Sequence, residues 1–182
     1  NPMGFDPLRD IVGRLVDFEA LRQCRDTRLF VSATNVHTGR VRVFRGHEVT
    51  LDAVMASACL PFLYKAVEIG GESYWDGGYV GNPSLWPFFY HTSTEDLLVL
   101  HVNPIERDTV PHTAPEINNR VNEISFNASL IAELRAIRFV KRLVRDEWLK
   151  DEHRGRVRDI RMHAIRADKE LLDLSVASKF NP

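Results

Sequence analysis

The sequence predicts a mixed α/β domain, and three observations point to it. Apolar positions recur at helical spacing near the start of the chain and again over residues 116–150. Between these stretches lie short β-branched and aromatic runs bounded by Gly, Pro, Thr and Asn. A compact, almost wholly apolar run at 97–102 (LLVLHV) fits a strand buried on both faces of a layered sheet. With 182 residues, 44% of them hydrophobic, the chain can bury one substantial core, so residues 1–182 are expected to form a single domain, or most of one.

The elements follow in order. Asp6 before Pro7 starts a helix, because the carboxylate can accept an orphan backbone N–H and proline's fixed φ suits the first helical position. Leu8, Ile11, Val12, Leu15 and Phe18 share one face, predicting an amphipathic helix over residues 7–23. Residues 28–36 (RLFVSATNV) and 41–44, joined by His37-Thr38-Gly39-Arg40, predict a hairpin on the rim of a larger sheet. Thr50 caps a short helix over 51–59 that Pro61 ends. Residues 66–69, the Gly70-Gly71 turn and residues 72–75 form a second strand pair that delivers the chain to Asp76. After the strand at 97–102 come a proline-containing loop at 103–115, a long or once-broken helix over 116–150, a strand within 157–165, and a last helix capped by Asp168.

Composition excludes several classes of function. A net charge of -1 gives no reason to expect a nucleic-acid partner. Cys24 and Cys59 lack CxxC spacing, which predicts two unpaired thiols and a reducing, cytoplasmic compartment. No run approaches the about 18 apolar residues of a spanning helix, so the folded part is expected to be soluble, with at most peripheral membrane contact. The seven histidines show no HExxH or similar ligand spacing, so no metal site is expected, and His101 is expected to be a hydrogen-bonded core residue. Between Arg135 and Arg166, eleven Lys or Arg stand against five Asp or Glu. Such an excess could meet anionic lipid headgroups, but a solvated helix face with ion pairs to Glu133, Asp146, Glu147, Asp151 and Glu152 is the simpler expectation.

The chemistry-bearing stretch is residues 52–86, DAVMASACLPFLYKAVEIGGESYWDGGYVGNPSLW. Asp76 follows a β-like run and precedes Gly77 and Gly78, so its carboxylate is expected where a strand ends and the chain turns sharply. Tyr74, Trp75 and Tyr79 are candidates to make its surroundings apolar, or simply to pack. Alone, Asp-Gly-Gly fits an ordinary turn. The ordered set is more specific: Ala56-Ser57-Ala58-Cys59-Leu60-Pro61-Phe62, a Gly-turn strand pair, Tyr74-Trp75-Asp76-Gly77-Gly78, Gly81-Asn82-Pro83, and Val31-Ser32-Ala33-Thr34-Asn35 upstream. Together these resemble the surroundings of the catalytic aspartate in patatin-like phospholipases, most closely from residue 1 to about 86 and more loosely over 122–150.

The resemblance implies a patatin-like layered domain with a central mixed sheet flanked by helices, incomplete at both ends. It implies a serine–aspartate dyad acting on lipid esters, with Asp76 as base, Gly77 and Gly78 forming the active-site turn, and no metal or organic cofactor. The family's Gly-x-Ser-x-Gly nucleophile and glycine-rich oxyanion loop do not occur in this sequence. Ser32, in a β run, and Ser57, in a helix, lack the glycine-flanked elbow. The serine is therefore expected upstream, in a missing N-terminal portion of the same domain, leaving this chain inactive by itself. The alternative expectations are a non-catalytic patatin-fold module that binds lipid or protein, and a structural fragment with an accidental Asp-Gly-Gly turn.

Overall fold

A computed structural model describes residues 6–154 and 158–166. The chain divides into two compact units, one ending at Pro83 and the other beginning at Ser84. The mixed α/β class holds, with antiparallel and parallel pairing carried by two separate sheets.

The first unit opens with two helices, α1 (Pro7–Leu15) and α2 (Phe18–Gln23), where the apolar spacing predicted one. Asp6 caps α1 as expected, accepting the Arg9 N–H at 3.1 Å. The break falls at Val16, whose backbone is extended, and at Asp17, whose carboxylate accepts the N–H groups of Glu19 and Ala20. An aspartate that can bind backbone donors locally competes with helix continuation. The α1 apolar face stays largely open among the described residues, with Ile11 and Leu15 exposed.

Four strands follow: β1 (Phe30–Asn35), β2 (Val41–Arg45), β3 (Val67–Ile69) and β4 (Glu72–Asp76). They form an antiparallel sheet in the order β2-β1-β4-β3, so of the predicted hairpin only β2 lies at the rim, while β1 and β4 are central. Helix α3 (Leu51–Ser57) connects β2 to β3 and buries Ala53, Met55 and Ala56. Thr50 caps it, accepting the Ala53 N–H at 3.2 Å. The core joins Val31, Ala33, Phe44, Val49, Ala53, Ala56 and Tyr74, with Phe44 and Tyr74 edge to face at 5.5 Å. Tyr74 is thus a packing residue.

The second unit contains α4 (Trp86–His91), β5 (Asp96–His101), α5 (Ala114–Arg145), α6 (Asp151–Arg154) and β6 (Arg161–Arg166). Strands β5 and β6 pair in parallel, Asp96 opposite Arg161 through His101 opposite Arg166. The expectation of a strand buried on both faces is corrected among the described residues. Leu97 and Val99 are buried, whereas Leu98 and Leu100 are 54% and 67% exposed. The core of this unit gathers Leu85, Leu97, Val99, Leu130 and Ile160. Thr113 and Glu116 form a reciprocal capping box at the start of α5. The expected helix beginning at Asp168 lies outside the described residues.

Candidate active site around Asp76

Ala33 and Asp76 are register partners, so the Asp76 side chain leaves the sheet from the same face as Tyr74 and the core. This face is covered by α3, which is why a carboxylate at a strand end is buried here. Helix α3 ends at Ser57, two residues short of the predicted end, and just beyond it the Cys59 carbonyl accepts the Asp76 N–H at 2.9 Å. From β1, the buried Thr34 hydroxyl donates to the Asp76 carbonyl oxygen at 2.7 Å. The carboxylate accepts the Gly78 N–H at 2.7 Å.

The two glycines do not serve the purpose that turn chemistry suggested. Positive φ occurs at Gly39, Gly46, Gly70 and Gly71, not at Gly77 or Gly78. The constraint at Gly77 is steric, since a Cβ there would lie 2.2 Å from the Ser32 carbonyl oxygen. Gly77–Tyr79 is a single 3-10 turn, which brings the Gly78 N–H under the carboxylate.

Burial pushes the Asp76 carboxyl above its ordinary pKa, and the Gly78 hydrogen bond opposes this only in part. No ion pair reaches Asp76 among the described residues. Burial likewise raises the Cys59 thiol, with the Asp76 charge adding to it, and raises the Tyr79 hydroxyl, again with help from Asp76. Tyr79 therefore lies within the electrostatic reach of the carboxylate. Trp75 pairs with Thr34 and points to the opposite face.

Neither local serine is presented as a nucleophile. Ser57 donates to the Val54 carbonyl at 2.7 Å, and Ser32 faces the Gly81 carbonyl at 3.5 Å. Cys24 and Cys59 are free thiols, the first exposed and the second buried, and the Cys59 thiol donates to the Lys65 carbonyl. The parts of the site that motif reasoning passed over are Thr34 and the Cys59 carbonyl. Both lie inside recognisable motifs, but their partner is set by sheet register and helix length.

Residues 2–89 match the family model described as patatin-like phospholipase. That stretch of the chain is patatin-like. The patatin-like segment carries Asp76 with β1, α3 and β4 complete. No curated protein matches the chain in a sequence comparison.

The second unit holds polar groups that are engaged structurally. His101, half-buried, pairs with Asn127 across 2.8 Å. Glu123, 1% exposed, binds Arg107 at 2.5 Å and Arg120 at 3.1 Å. A groove of about 540 Å³ includes Trp86, Tyr90, Glu133, Lys141 and Arg158. Its cations are occupied: Lys141 pairs with Asp159, and Arg158 donates to the carbonyls of Phe88, Thr92 and Thr94. Asp146 bridges Arg142 and Arg145, as a solvated, ion-paired face predicts, while Glu133 instead accepts the Leu85 N–H at the start of α4. No helix among the described residues is long and apolar enough to cross a membrane.

Proposed function

We propose that Asp76 is the general base of a serine–aspartate dyad that hydrolyses carboxylic esters of lipids, this chain supplying the base and an upstream part of the same domain supplying the serine. The observation that carries the proposal is the state of the carboxylate. It is buried, free of cationic partners among the described residues, held by one backbone N–H, and raised in proton affinity. A salt-bridged aspartate would be a poor base, whereas one shifted upward accepts a serine proton more readily. The family match, over residues 2–89, covers the Asp76-bearing part of what we take to be one domain over residues 1–182.

In this reading the serine oxygen attacks the ester carbonyl carbon as its proton passes to Asp76. The tetrahedral intermediate collapses, the ester C–O bond breaks, and the alcohol leaves with the proton returned from Asp76. Water then repeats the sequence on the acyl-serine, releasing the fatty acid. Upstream backbone N–H groups stabilise the oxyanion, and no metal or organic cofactor takes part. Contact with a lipid surface is peripheral.

Fluorophosphonate labelling with peptide mapping, on this chain and on one extended upstream, tests the proposal. An upstream serine labelled only in the longer chain is the expected result. Labelling of neither chain would favour the non-catalytic binding module, which the absence of Gly-x-Ser-x-Gly from residues 1–182 otherwise suggests. Labelling of Ser32 or Ser57 would relocate the nucleophile.

A further inference from the structure

We infer that Thr34 is a positioning residue for Asp76, setting the orientation of the carboxylate through the peptide that joins Asp76 to Gly77. The inference rests on the proposed role of Asp76 as base. Among the described residues, three hydrogen bonds outside the strand ladder hold Asp76: its N–H to the Cys59 carbonyl at 2.9 Å, its carbonyl from the Thr34 hydroxyl at 2.7 Å, and its carboxylate from the Gly78 N–H at 2.7 Å. Thr34 alone among these partners acts through a side chain, reaching across 42 residues of sequence.

The peptide that Thr34 grips decides where the next N–H points. Asp76 has φ -45° and ψ 132°, and rotation about that ψ swings the Asp76 carbonyl and the Gly77–Gly78 turn together. Gly77 also lies close against the Ser32 main chain, where an added Cβ would come within 2.2 Å of the carbonyl oxygen. Strand β1 thus meets the turn twice, through the Ser32 carbonyl and the Thr34 hydroxyl. Without the hydroxyl, one of these contacts is lost and a buried carbonyl loses a donor. The peptide can then rotate, and the Gly78 N–H leaves the carboxylate.

The test titrates Asp76 by carboxyl NMR in the 182-residue chain, in wild type, Thr34→Val, Thr34→Ala and Thr34→Ser. Cys59 and Tyr79 are the titrating groups that face Asp76, and both ionise far above it. Loss of the donor is expected to move the Asp76 midpoint up by about half a unit or more and to uncouple the Gly78 amide shift from the titration. Serine is expected to restore both. A wild-type titration in a folded valine or alanine variant overturns the inference, as does unfolding of both while serine folds, which would make Thr34 purely structural. In the chain extended to include the serine, Thr34→Val is expected to lower kcat about tenfold with KM within about twofold, and Thr34→Ser to recover it. Unchanged esterase activity in Asp76→Asn would instead sink the dyad reading, leaving the NMR result to decide the role of Thr34.

Discussion

Gly77 is held to glycine by a main-chain neighbour. Gly77→Ala would place a methyl group 2.2 Å from the Ser32 carbonyl oxygen, and backbone cannot yield as a flexible side chain can. A loss of about 1–3 kcal/mol is expected, read from the urea unfolding midpoint, and an unchanged midpoint would mean that β1 and the turn separate easily. Asp76 presents the opposite balance, since burial opposes its charged form. Its folded pKa lies above its unfolded one, so its stability contribution is present below the ordinary aspartate range and is lost as pH rises through the folded value. Asp76→Asn is therefore expected to gain on wild type as pH rises from about 3 to about 7, and parallel curves would contradict the burial argument. In the serine-bearing protein the same substitution is expected to lower kcat by about 10²–10⁴-fold, with the wild-type acidic limb lying above the ordinary carboxylate value.

Helix ends decide where the site's backbone groups point. Thr50 anchors α3 through the Ala53 N–H, and α3 buries Ala53, Met55 and Ala56 against the sheet. Thr50→Ala is expected to cost about 1 kcal/mol and to loosen the segment that carries the Cys59 carbonyl, seen as faster hydrogen exchange at the Asp76 amide. Thr50 was legible as a cap because capping involves residues within one turn. The end of α3 was not legible to better than two residues, since nothing local distinguishes Ser57 from Cys59 as the last helical position. In the second unit, Glu123 on α5 ties down the 103–113 loop through Arg107, while Arg120 donates to the Ile105 carbonyl. Glu123→Ala is expected to destabilise by about 3 kcal/mol in calorimetry, because two guanidinium groups lose a buried partner. Its burial was hidden in the sequence, where a glutamate on a polar helix looks solvated.

At the scale of the molecule, the proposed chemistry requires no resident cation, so EDTA is expected to leave the activity of the serine-bearing protein intact, and strong inhibition by chelation would count against the dyad. By itself the sequence determined the α/β class, the hairpin, the caps at Asp6 and Thr50 and the candidate status of Asp76, because these depend on periodicity and on neighbours within a few positions. It also carried the patatin resemblance, which is a property of ordered motifs. The tertiary structure alone decided that Asp17 splits the first helix, that β5 is half-buried, and that Gly77 is required by Ser32. It also decided that Thr34 and Cys59 converge on Asp76. The Asp17 break is a local competition for backbone donors, whereas the others depend on which distant segments share a sheet register or a helix face, and short-range spacing does not encode register.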